Sequence, residues 1–145
     1  MKTFTLEEAQ TLLPVVKTLI NRAMEGKRVV EGAEEEFQGL RHRILLSGGL
    51  LVDIHRLALR KSERDKALRE TKDALAEIEA IGVQIKDLDT GLLDFPCVVD
   101  DEIVLLCWKA GEEKIEFWHG LEEGFQGRKP IREDMVRGKK KDRPN

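Results

Sequence analysis

The stretch EIEAIGVQIKDLDTGLLDFPCVV, Glu77 to Val99, is where the chain changes its period. Before Gly82 the apolar residues recur every three or four positions, the spacing of one face of a helix. After Gly82 they fall into short runs rich in Val, Ile, Leu and Phe, broken by the turn residues of LDTG, which is the pattern of strands and hairpins. A glycine suits the C′ position of a helix because it tolerates a left-handed backbone. Gly82 therefore marks the border between a helical half and a sheet, and the class it defines is α+β.

Working back from that border, a stripe of Leu51, Ile54, Leu57, Leu68, Thr71, Leu75, Ile78 and Ile81 describes one helix. A second stripe of Leu6, Ala9, Leu13, Val16, Ile20, Ala23, Val30, Ala33, Phe37, Leu40 and Ile44 describes another, with Lys27 as its polar interruption. Thr5 and Glu8 have the spacing of a capping box at its start. Pro14 lies inside the pattern, where it is expected to kink the helix or split off its first turns. Ser47-Gly48-Gly49 separates the stripes and predicts a turn. Folded about that turn, the helices form a long antiparallel hairpin over residues 5–82, in which Lys61 faces Glu35 and Arg64 comes near Glu31. Ser62 with Asp65 offers an alternative cap that would make three helices of two.

Working forward, VQIKD, LLDFPCVV, EIVLLCWK and KIEFWH predict an antiparallel meander of three or four strands over residues 83–119. Pro96 suggests an edge or a bulge, since proline gives no hydrogen to a ladder. A two-residue turn at Asp100–Asp101 sets Cys97 opposite Val104 and Phe95 opposite Leu106. A second at Gly111–Glu112 sets Trp108 opposite Ile115 and Leu106 opposite Phe117. One face then carries Leu93, Phe95, Val104, Leu106, Trp108, Ile115 and Phe117. The other carries Asp94, Ile103, Leu105, Cys107, Glu116 and Trp118, a mixture that suits an active cleft, a partner surface or solvent-exposed sheet. A one-residue slip would exchange the faces.

The 145 residues suit a single domain over 1–131, closing with a glycine-rich loop at 120–131. Charged residues make up 37%, above the usual quarter, as long solvated helices require. From Gly127 to Asn145 eight Lys or Arg meet three Asp or Glu, a net of +5, so the preceding residues carry −8 of the overall −3. The stretch 132–145 is accordingly expected to be a basic, disordered tail. An acidic body, 5% aromatics and no tyrosine weigh against a nucleic-acid-binding surface. No apolar run approaches the ~20 residues needed to span a bilayer, and the N-terminus lacks the pattern of a secretory signal. A cytoplasmic protein of a prokaryotic kind is expected, with its two cysteines, Cys97 and Cys107, reduced.

Four segments carry a resemblance to a known family: FTLEEAQTLLP at the start, HRILLSGG at the helix turn, GVQIKDLDTGLLDFP entering the sheet, and LCWKAGEEKIEFWHGLEEGFQGRKPI after it. Together they resemble the bacterial family known as domain of unknown function 2203 over nearly the whole chain to Ile131. The resemblance implies a small cytoplasmic protein with these segment boundaries, and it carries no activity.

Chemistry must therefore be sought in the residues. Asp87, Asp89 and Asp94 fail the EF-hand pattern, because Gly91 stands at the third ligand position and Val98 at the place of the glutamate. Asp94, His119 and Glu122 offer one nitrogen and two carboxylates for a divalent metal, and His119 with Glu122 offers a base and its orienting group. Arg128, following Gly124 and Gly127, suits a small anionic ligand. Ser47 and Ser62 sit in no nucleophile motif, and neither cysteine lies at a helix N-terminus where its thiolate would be favoured. The leading expectation is a non-catalytic binding or interaction module that recognises a protein or a small anion. Its site would comprise Asp94, Trp118, His119, Glu122 and Arg128, no cofactor is expected, and the hairpin would support a homodimer. The rival expectation is a metal-assisted hydrolase using Asp94, His119 and Glu122.

Overall fold

Thr5 opens the first helix through the expected capping box: its hydroxyl accepts from the Glu8 amide at 3.0 Å, and the Glu8 carboxylate accepts from the Thr5 amide at 2.8 Å. In the computed structural model, which describes residues 1–49 and 51–132, this helix, α1, runs unbroken from Leu6 to Ser47. Pro14 lies within it without splitting off the first turns. Gly48 ends it with φ of 70°, a left-handed cap that a side chain would strain. Asp53 caps α2, Ile54–Ile81, by accepting from the Arg56 amide at 3.1 Å. The helix continues through Ser62 and Asp65, so the helical half contains two helices and not three. At its end the Gly82 amide donates to Glu79 and the Val83 amide to Ile78, the pair of bonds of a Schellman motif.

The helices pack antiparallel, and the residues they bury here are small, Ala23, Gly26 and Ala33 of α1 and Ala67, Thr71 and Ala74 of α2, with Gly26 set against Ala67 and Thr71. Ala67 occupies a seam position, whereas Leu68, expected there, is 38% exposed. The cross-hairpin ion pairs are Arg60 with Glu36 at 2.7 Å and Arg64 with Glu34 at 2.9 Å, neighbours of the expected Lys61–Glu35 and Arg64–Glu31 pairs. Such exposed pairs are worth at most ~1 kcal/mol each, so they tune the register that the seam sets.

Among the described residues five strands follow in one antiparallel sheet whose spatial order is the chain order: β1 Gln84–Asp87, β2 Leu92–Val99, β3 Glu102–Lys109, β4 Phe117–Gly120 and β5 Lys129–Pro130. The glycine-rich segment thus contributes a 3-10 turn, Phe125–Gly127, and a fifth strand where a plain loop was expected. Asp100 and Asp101, at φ of 51° and 65°, form the two-residue hairpin turn, and Cys97 faces Val104 as the turn requires. β1 reaches only to Asp94, so the nitrogen of Pro96 faces an open edge, where the Phe4 amide donates to the Pro96 carbonyl at 2.7 Å.

The next hairpin departs from expectation by one residue. Cys107 pairs with Phe117 and Leu106 with Trp118, because the connection spans several residues and not two. The Glu112 carboxylate accepts from the Lys109 amide, and the side-chain amide of Gln10 clamps the backbone of Ile115 through bonds of 2.9 and 3.0 Å. Ile115 is thereby drawn onto α1 and out of the ladder. The consequence is an exchange of faces in β4: Trp118 packs against the core, while Phe117 and His119 join Asp94 and Cys107 on the opposite face.

The core lies between that sheet and the near half of the hairpin. Val16, Ile20, Ala23, Ala74 and Ile78 meet Leu93, Phe95, Leu106 and Trp108, all nearly inaccessible. Beyond Ala23 the helices bury only Gly26, Ala33, Phe37, Ala67 and Thr71. At 1.5 Å per residue, the 42 residues of α1 extend roughly 63 Å, so the hairpin continues past the sheet as a two-helix arm. Among the described residues no helix is long and apolar enough to cross a membrane.

Candidate functional site

Three adjacent strands each lend one polar side chain to the face of the sheet turned away from the helices. Asp94 on β2 stands directly opposite Cys107 on β3, whose partner on β4 is Phe117; His119 lies two residues further along β4 on the same face. The donor atoms of Asp94, Cys107 and His119 all lie within 4.8 Å of one another, and all three residues are buried. His119 Nε2 is 3.1 Å from Asp94 Oδ1, and Nδ1 is 2.8 Å from the carbonyl oxygen of Gly120.

The hydrogens can be placed by elimination. A carbonyl only accepts, so Nδ1 carries a hydrogen and donates it to Gly120. The contact between Nε2 and the Asp94 carboxyl then needs one further proton, shared between them. Burial, reinforced by the charge and hydrogen bonding of Asp94, pushes the Cys107 thiol up to about 12. A thiol so placed is no nucleophile at neutral pH.

The flanking segment folds back over this edge of the sheet. Arg128 Nη2 donates to both carboxylate oxygens of Glu112, at 2.8 and 2.9 Å, and lies 3.3 Å from the Cys107 carbonyl oxygen. Its guanidinium stacks 4.1 Å from the centre of the Phe117 ring and 4.6 Å from that of Phe125. Glu123 turns back to accept from the Gly120 amide at 2.8 Å and pairs with Lys129 at 2.6 Å; that lysine and the amide together hold its carboxyl below the usual range.

Of the five residues expected to form a site, the structure brings two together, Asp94 and His119. Trp118 is half-buried against the core, with Lys129 over its ring at 4.5 Å, so it belongs to the opposite face. Glu122 is exposed in the turn after β4 and stays outside the group; the third member is Cys107. Arg128 is engaged by Glu112, which the sequence reading did not single out. Buried nitrogens Trp118 Nε1 and Arg128 Nε have no hydrogen-bond partner among the described residues.

A two-helix arm standing on a five-stranded antiparallel meander, with a buried Asp–Cys–His group on the far side of the sheet, defines the class of protein. Residues 2–131 match the uncharacterised conserved family known as domain of unknown function 2203, and the chain belongs to that family. No curated protein and no solved structure matches it.

Proposed function

We propose that this protein is a non-catalytic interaction module of the bacterial cytoplasm, and that its arm binds a second copy of the chain. The observation that carries this reading is the end of the arm. Leu45, Leu46, Leu51 and Ile54 are 81%, 75%, 100% and 71% exposed, clustered around the hairpin turn. Behind them a groove of about 520 Å³ opens along the seam, lined by Phe37, Leu40, Val52 and Leu57 and as much by charged side chains, Glu36, Arg43 and Arg60 among them. Isolated exposed leucines are ordinary, but a contiguous apolar patch marks an interaction surface.

The charge pattern supports a second copy as the occupant. Glu31 and Glu35 precede Arg41 and Arg43 along α1, beside the Glu34 and Glu36 that pair with Arg64 and Arg60. Two arms laid antiparallel about Gly39 would bring each basic segment against the acidic segment of the other copy. A side chain at Gly39 would meet nothing within 4 Å, so that position leaves room for close approach. Each apolar side chain covered would contribute ~1.5–3 kcal/mol.

The metal-assisted hydrolase reading has weaker support. Glu122 stands outside the group, and Asp94 and His119 are about 2–3% exposed, which suits holding better than turnover. Recognition of an anion by Arg128 would require breaking its Glu112 pair.

Sedimentation equilibrium of the full chain tests the proposal. A dimer mass is expected, reverting to a monomer in Leu46→Glu without loss of helical signal. A wild-type monomer across the whole accessible concentration range, or a dimer that survives Leu45→Glu with Leu46→Glu, overturns it.

A further inference from the structure

We propose that Asp94, Cys107 and His119 form a binding site for one divalent ion of the zinc type, which clamps β2, β3 and β4 together. The donor set is the first argument. An imidazole nitrogen, a thiolate sulfur and a carboxylate oxygen are the ligands that a borderline-soft ion such as zinc takes, whereas magnesium and calcium prefer oxygen alone. The three atoms already converge within 4.8 Å from three separate strands, so little rearrangement is needed to close on an ion.

The second argument is the orientation of His119. Nδ1 donates to the Gly120 carbonyl at 2.8 Å and thereby turns Nε2 toward Asp94 and Cys107. A metal-binding histidine usually donates its other nitrogen's hydrogen to a carbonyl or carboxylate, which fixes the tautomer and aims the lone pair. Here a backbone carbonyl of the adjacent residue has that role, so the orientation is built into β4 itself.

The third argument is charge balance in a buried place. Without metal, the group holds one proton between His119 and Asp94 and one on the Cys107 sulfur. A divalent cation replacing both leaves the net charge unchanged: two positive charges leave as protons and two arrive with the ion. The exchange therefore adds no uncompensated charge to a site in which Asp94 and His119 are only about 2–3% exposed. Three protein donors leave a fourth position for a small ligand such as water.

Cobalt(II) serves as the probe, because cobalt bound to a thiolate gives an intense near-ultraviolet charge-transfer band. Titration of the metal-free full chain should give that band at one ion per chain, with release of about two protons per ion in lightly buffered solution. Zinc should then bleach it. Cys97→Ser, which alters the thiol on the opposite face, should leave the band intact, and Cys107→Ser should abolish it. His119→Gln should weaken binding at least tenfold. Absence of the band in the wild-type chain overturns the proposal whatever the variants do. So does a band that persists in folded Cys107→Ser, or binding that releases no protons. None of these outcomes depends on the oligomeric state, so the metal site and the arm stand or fall separately.

Discussion

Gly26 of α1 lies directly against Ala67 and Thr71 of α2, and its substitution by alanine should be costly although alanine is the better helix former. A Cβ at this position would lie 2.0 Å from Thr71 Oγ1 and 2.9 Å from the backbone oxygen of Ala67. The first contact is far inside any tolerable distance, and the second involves a carbonyl that cannot move without its helix. Both contacts must be relieved. The Thr71 side chain has to rotate away, abandoning its 2.8 Å bond to the Ala67 carbonyl and leaving a buried hydroxyl unpaired, at ~1–3 kcal/mol. The helices must also part to clear the Ala67 carbonyl, at the ~1–3 kcal/mol typical of an overpacked core. Against these stands the gain of ~1 kcal/mol for alanine over glycine within a helix. With both costs in play, the net effect is a destabilisation of about 3 kcal/mol, which lowers Tm by roughly 6–12 °C in a chain of this size. Thermal and urea denaturation followed by helical circular dichroism measure it. Adding Thr71→Ala should recover part of the loss by removing the nearer clash, but not all of it, because the Ala67 carbonyl stays. A Gly26→Ala protein as stable as the wild type, or more so, would refute the close helix approach on which the shape of the arm rests.

The same measurement should separate the residues of the sheet. Trp108→Ala is expected to cost ~3–5 kcal/mol, since its ring is 2% exposed and its Nε1 donates to the Glu112 carbonyl at 3.0 Å. Asp94→Ala should cost about as much, ~3–5 kcal/mol, because it strands His119 in a buried place, whereas Arg128→Ala should cost about 1–2 kcal/mol, its Glu112 partner retaining access to water; equal losses for Arg128→Ala and Trp108→Ala would contradict this. Cys97 and Cys107 lie on opposite faces of the sheet, so intact mass with alkylation under denaturing conditions should count two free thiols in fresh protein. For metal-free protein, the raised Cys107 value has a definite sign: between the ordinary thiol value of 9.0 and about 12, the unfolded chain loses a proton that the folded chain keeps. Stability should therefore fall as pH rises above about 9, and this part of the decline should vanish in Cys107→Ser.

How much of this was legible beforehand turns on two hairpins. The turn at Asp100–Asp101 is short and chemically explicit: two residues that tolerate a left-handed backbone, flanked by apolar runs. Its register sets Asp94 opposite Cys107, so two of the three members of the buried group could have been read from the sequence by extending the ladder one pair beyond Phe95 and Leu106. The helical hairpin was legible for the same local reasons, a capping box, a glycine turn and a C′ glycine. Its fine register was less so, because the seam includes Gly26 and Ala67, small residues that the apolar stripes pass over. Of the basic tail expected over 132–145, everything after Arg132 lies outside the described residues.

The connection from β3 to β4 was not legible, and the reason is physical. Its length is decided by a contact 105 residues away in the chain, the clamp of the Gln10 side chain on the backbone of Ile115. No local signal in AGEEKIEF reports that clamp. Because side chains alternate along a strand, the single residue of slip decides on which side of the sheet every residue of β4 lies. In the expected register His119 stands opposite Val104 and faces the helices; in the observed one it stands opposite Leu105 and faces Asp94 and Cys107. Gln10, a polar residue on the first helix, thus sets the geometry of a group at the far side of the sheet. Leaving β4 one residue out of step would bury His119 against the core and remove the third member of the proposed metal site, so the fold and the site depend on the same contact.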